Sequence, residues 1–181
     1  MTRALIDRTG HHTAPDGWHV LADGDSETVA DQAILPLPRF LALATGGADS
    51  SEGAGTLGAG WGVVLAPNDE PAQLRGHVAR IALIQLTIPV FKDGRAFSQA
   101  RQLRQDLGFS GEIRLAGHVL PDQLAFAIRC GVDRILTTSA EPEEHWRAAA
   151  SRFDVHYQPA LDEAPWAARR RAGTVGWVEV A

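Results

Sequence analysis

At 181 residues the chain is long enough for one domain that buries roughly 70% of its unfolded surface, so it needs no disulfide or metal staple. Hydrophobic residues make up 45% and charged residues 22%, which excludes a wholly disordered chain. Lys+Arg 17 against Asp+Glu 22 gives a formal charge of -5, which argues against a general nucleic-acid binder or an anionic-membrane binder.

Residues 1–32 read as loop-rich, with turn chemistry at Pro15-Asp16-Gly17 and Asp23-Gly24-Asp25, and a short hairpin is expected between Ala4–Ile6 and Trp18–Leu21. Arg3, Asp7 and Arg8 interrupt the start, which lacks the apolar core of a signal peptide, so the cytoplasm is the expected compartment. Ala33–Leu35 reads as a strand, and Pro38 opens a short helix through Phe40, Leu41 and Ala44. Residues 46–60 are rich in Gly, Ser and Ala and read as a flexible surface loop. From Trp61 strands and helices alternate. Trp61–Leu65 is a strand, and Asn68-Asp69-Glu70-Pro71 starts a helix that carries Leu74, Val78 and Ile81. Ile81–Pro89 is a nearly continuous apolar run, as in a strand buried on both faces, and it is too short to span a bilayer. The next helix starts near Asp93, lines up Phe97, Ala100, Leu103 and Leu107, and stops at Gly108. Glu112–Gly117 is a strand, Pro121–Cys130 a helix ended by Gly131, and Ile135–Thr137 a strand. Thr138 and Glu141 have capping-box spacing before a helix with Trp146, Ala149, Ala150 and Phe153. Val155–Tyr157 closes the series, and residues 161–181 read as a tail or an edge strand at Thr174–Val180.

The pattern predicts about six strands in units of roughly 20 to 30 residues, as in right-handed βαβ connections. The expected fold is α/β: an open, mostly parallel sheet with helices on both faces, residues 1–160 forming a single domain. A partial β/α barrel is the alternative, since eight full units normally take about 250 residues.

Few motifs carry chemistry. Gly53 to Gly58 spells GxGxxG, but it leads into a strand where a dinucleotide site needs a helix. No haem, iron–sulfur, P-loop or nucleophile-elbow motif is present, and His11, His12 and His19 match no metal-ligand spacing. Cys130 is the only cysteine, which excludes an intrachain disulfide and reads as buried filler before Gly131. The loop Phe91-Lys92-Asp93-Gly94-Arg95 follows the most apolar strand and opens a helix, where open α/β sheets place ligands. Helix-start amides with Lys92 (the only lysine) and Arg95 suit an oxyanion, while Asp93 and Gly94 equally suit a plain N-cap and turn. His118, Asp122 and Gln123 fall in the next strand-to-helix loop on the same edge, and His118 is a candidate general acid or base. Arg104, flanked by Arg101, lies on the apolar side of its helix, so it must be paired (Asp122 and Asp133 are candidates), snorkel, or meet another subunit.

The string Phe91-Lys92-Asp93-Gly94-Arg95, continued by Ser98-Gln99-Ala100-Arg101 and Leu103-Arg104, resembles a bacterial family of unknown function. Leu107-Gly108, Gly111 to Arg114, Gly117, Asp122 to Leu124 and Arg129 to Gly131 extend the resemblance, which covers roughly residues 33–158. Members are often named as oxidoreductases of sulfite reduction, because their genes commonly sit beside those for assimilatory sulfite or nitrite reductase. The resemblance implies an accessory protein of sulfur assimilation, with sulfite reductase as its partner and an oxyanion or an acidic partner surface at the Lys92 edge. It names no cofactor and carries over no catalytic residue. This chain departs from it at His118, where members usually have an acid, at Phe97, usually tyrosine, and near Phe40, usually tryptophan; the loop at 46–60 also looks longer. Two other readings use the same residues. One is a small enzyme with Lys92 or His118 in proton transfer and Asp93 orienting it. The other is a homo-oligomeric scaffold with Arg101, Arg104 and the C-terminal strand at an interface.

Overall fold

The computed structural model describes residues 4–14, 16–21, 32–45, 60–162 and 166–171. Among these, eight strands form one sheet: β1 (Ala4–Ile6), β2 (His12–Thr13), β3 (His19–Val20), β4 (Ala33–Pro36), β5 (Trp61–Leu65), β6 (Ile81–Ile88), β7 (Glu112–Gly117) and β8 (Arg134–Thr137). The helices are α1 (Leu37–Thr45), α2 (Arg95–Gln105), α3 (Leu124–Arg129), α4 (Glu143–Ala150) and α5 (Ala167–Arg171). The sheet runs in the order β2-β1-β8-β7-β6-β5-β4-β3. Strands β3 to β8 are parallel, and β1 is antiparallel to both of its neighbours. No described helix is long and apolar enough to cross a membrane.

The six parallel strands follow one another in chain order, and that decides where the helices lie. Right-handed crossovers that always step the same way put every helix on one face. Register agrees: Leu35, Val63, Ile84, Ile113 and Ile135 share a face, as do Leu65, Leu86 and Leu115. These join Phe40 of α1, Phe97, Ala100 and Leu103 of α2, Leu124 and Ala127 of α3 and Trp146 of α4 in one buried cluster. Each fully buried Leu or Ile there stabilises the fold by ~1.5–3 kcal/mol. Helices on both faces are therefore not what forms. The result is a curled half-barrel, nearer to the partial barrel.

The curl also follows from chain length. Strands β2 and β3 are the two edges of the sheet, yet Thr13 and His19 are only six residues apart. Six residues reach at most about 22 Å, whereas seven strand spacings in a flat sheet amount to about 34 Å. The sheet must bend until its edges approach, and the connecting residues become a strap over the concave face. Trp18 of the strap lies against Gly62 of β5, where a Cβ would stand 3.0 Å from the indole and 2.7 Å from Ile34.

Several expectations change. The strand count is eight rather than about six. The hairpin between Ala4–Ile6 and Trp18–Leu21 does not form: β1 pairs with β2 and β8, while β3 pairs with β4 at the far edge. The helix expected after Pro71 is two short 3₁₀ turns, Pro71–Leu74 and Val78–Arg80, with Gly76 between them. A glycine at that point weakens a continuous helix by about 1 kcal/mol. No capping box forms at Thr138 and Glu141; the Thr137 and Ser139 hydroxyls instead accept from Ser139 N and Glu141 N, and α4 starts after an extended Pro142. Helix α4 ends at Ala150, leaving Phe153 60% exposed, and His156 makes a single bridge to Trp166 instead of a strand. Residues 22–31, most of the loop at 46–60, and Thr174–Val180 lie outside the described residues.

Candidate functional site

The carboxyl ends of β5, β6 and β7 meet the starts of their crossovers on one rim, and two glutamines brace them. Gln99 on α2, buried beside that rim, donates through Nε2 to the carbonyls of Ala66 (2.9 Å) and Asp69 (2.8 Å). Gln123 donates through Nε2 to the carbonyl of Phe91 at 2.7 Å and accepts from Leu120 N at 3.1 Å. The turn after β6 is closed by Asp93 N donating to Val90 O, and His118 N donates to Ile88 O, each at 2.9 Å. Phe91 and His118 meet edge to face at 5.9 Å.

The rim divides the predicted ligand residues into two groups. Asp93 accepts from Arg95 at its backbone N (3.2 Å), Nε (2.9 Å) and Nη2 (2.7 Å), and Arg95 Nη1 donates to Asn68 Oδ1. The Arg95 fork is thus used by Asp93 in its own loop and by Asn68 in the crossover after β5, and the Asp93 carboxylate already holds the first amide of α2. Gly94 has an ordinary φ of -85°, and a Cβ there would meet only Phe97 at 4.0 Å, so no close backbone cradle requires it. The second group is open. Lys92 and His118 are exposed, and Lys92 carries no hydrogen bond or ion pair among the described residues. Asp122 is also exposed, on the 3₁₀ turn Pro121–Gln123. Around them Val90, Phe91 and Phe126 are 44%, 50% and 56% exposed. Phe126 follows Gln123 by three residues and packs edge to face on Phe97 at 5.0 Å.

The hydrogen bonds from Arg95 hold the Asp93 carboxyl below the ordinary carboxylate range, against a smaller opposing effect of burial. The Arg95 pairing therefore favours the fold at neutral pH. It is lost as pH falls from the unfolded value near about 4 through the lower folded-state value. Arg95→Gln is expected to return the Asp93 titration midpoint to the ordinary range, read by carboxyl-carbon NMR; an unchanged midpoint would assign the depression elsewhere.

The arginines of α2 play different parts. Arg104 donates to the carbonyls of Gly131 (3.0 Å), Phe109 (2.6 Å) and Gly111 (2.8 Å) and to Asp133 Oδ2 (2.5 Å), away from Asp122. Arg101 is exposed; with Arg129 it opposes the burial that pushes the Cys130 thiol pKa up. Among the described residues no group of three His, Cys, Asp or Glu side chains is placed to hold a metal ion.

A family of bacterial proteins of unknown function, DUF934, matches residues 62–166, more than half of the chain. The chain belongs to DUF934. No curated protein and no solved structure matches it. The DUF934 stretch begins in β5 and so includes the whole rim from Asn68 to Gln123, while β1 to β4 precede it.

Sequence reasoning missed the charged side chains on the concave face: Glu112, Arg114, Arg134 and, from the strap, Asp16. The one signal for them was alternation. Glu112 and Arg114 interleave with Ile113 and Leu115, which marks two faces of different polarity. Such a pattern reads as a solvated face, yet Arg114 is only 2% exposed.

Proposed function

We propose that this DUF934 protein is a cytoplasmic accessory protein of assimilatory sulfite reduction. It docks on an acidic surface of sulfite reductase through the rim formed by Val90, Phe91, Lys92, His118 and Phe126. The observation that carries the reading is the exposed Lys92 ammonium, unpaired among the described residues, on a rim with three half-exposed apolar side chains. Exposed aromatic side chains on the same rim as a cation suit a protein surface of opposite charge. A small oxyanion suits this rim less well, because Arg95 is used by Asp93 and Asn68. The pathway rests on the resemblance of the Phe91–Arg104 string to the sulfite-reduction family. An enzyme built on Lys92 and His118 would need them in a closed pocket, and both stand exposed. A scaffold reading would need Arg104 free for another subunit, and its guanidinium is bound within its own chain.

Lys92→Glu is expected to weaken association with purified sulfite reductase at least tenfold, about 1.4 kcal/mol, with Lys92→Arg close to wild type. Surface plasmon resonance at two salt concentrations reads both. Unchanged binding of Lys92→Glu would remove the rim from the interface, and no binding of the wild-type chain would remove the partner.

A further inference from the structure

The inner face of the half-barrel carries charge where a barrel interior is usually filled by apolar layers. Gln85, Arg114 and Arg134 are register partners on β6, β7 and β8, so their side chains leave the sheet on the same concave side. Arg114 donates through Nε (2.9 Å) and Nη2 (2.7 Å) to Glu112 Oε1, through Nη1 to Asp16 Oδ1 at 3.5 Å, and through Nη2 to Asp16 Oδ2. Arg134 Nη1 donates to the same Asp16 Oδ2 at 3.2 Å and lies 3.8 Å from Glu112 Oε2. One carboxylate is therefore shared by two guanidinium groups on neighbouring strands, and it comes from the strap, not the sheet. Gln85 sits beside Arg114 at 6% exposure, and its Oε1 has no hydrogen-bond partner.

Three features point beyond a fixed ion-pair network. Two planar forks converging on one carboxylate are the geometry by which proteins bind small oxyanions. A half-turn of the Gln85 carboxamide exchanges its unpartnered oxygen for two N–H donors in the same row. The strap that delivers Asp16 is held at each end by a two-residue strand and between them by Trp18 against Gly62, with His12, His19 and Val20 exposed. If Asp16 leaves, Glu112 still balances one guanidinium and the other is left for an incoming anion.

We propose that Arg114 and Arg134 form a binding site for a small oxyanion of the carboxylate, sulfate or phosphate class, and that Asp16 occupies it as an internal ligand which the anion displaces together with the strap. The site is independent of the docking rim.

Calorimetric titration of the full chain with inorganic sulfate, inorganic phosphate and succinate, at constant ionic strength in chloride, separates the three sources. Asp16→Asn is expected to raise affinity for at least one of them tenfold or more by removing the competitor, and Arg134→Gln to abolish that binding. Hydrogen exchange on the unmodified chain needs no variant to fold: amides of residues 16–20 should exchange faster at saturating anion. Unchanged exchange with all three anions, an Asp16→Asn affinity equal to wild type, or an Arg134→Gln affinity equal to wild type would each overturn the proposal and leave a structural ion-pair network.

Discussion

Gly117→Ala is expected to destabilise the protein by about 4 kcal/mol, the sum of backbone strain of ~1–3 and overpacking of ~1–3 kcal/mol. Gly117 ends β7 at a φ of +124°, a conformation that L side chains rarely adopt. A Cβ there would stand 2.2 Å from the carbonyl oxygen of Ile88 and 3.1 Å from its carbon. Those are backbone atoms at the end of β6, where Ile88 is the register partner of Gly117. Ile88 O also accepts from His118 N, so the added methyl strikes the hydrogen bond that aligns the rim carrying Lys92 and His118. Urea unfolding followed by far-UV circular dichroism reads the loss, and Tm should fall by on the order of 10 °C. A midpoint equal to wild type would mean that β6 and β7 part at little cost.

Arg104→Met is the second large effect, at about 3 kcal/mol, since removing one side of a partly buried ionic network leaves the other uncompensated. The Arg104 side chain is 17% exposed, and methionine retains its stem packing but none of its donors. Three carbonyls and the Asp133 carboxylate lose their partner, although Asp133 keeps Ile113 N at 2.8 Å. Asp133 is 32% exposed and water recovers part of the loss, which keeps the figure below that of a fully buried pair. Arg104→Lys should recover only part, because one ammonium cannot reproduce a planar fork serving four acceptors. Denaturant unfolding measures both variants, and light scattering should show the same assembly state as wild type. A change of assembly without loss of stability would instead place Arg104 at an interface.

Much of this was readable where the sequence pattern is local. The apolar run Ile81–Pro89 becomes β6 at the centre of the parallel strands, and Phe97, Ala100 and Leu103 are the buried side of α2. Leu107 falls beyond that helix, whose last turn closes through Asp106 and Leu107 onto Gln102 O. The single lysine was legible as the residue to test, because it stands in a strand-end loop. That Arg95 is already bound by Asp93 was not legible, since an N-cap aspartate and an anion-binding arginine have the same spacing.

By itself the sequence determined the alternation of strands and helices from Ile81 to Trp146, a wholly local matter of hydrophobic period and turn residues. It also placed Lys92 at a strand's carboxyl end. The tertiary structure alone decided that the sheet follows chain order, curls, and is strapped from edge to edge by residues between Thr13 and His19. Alternation in Glu112–Leu115 marks two faces but not what covers the second. The cover includes Asp16, which is 98 residues from Arg114 in sequence, and that long-range contact turns a seemingly solvated arginine into a buried one.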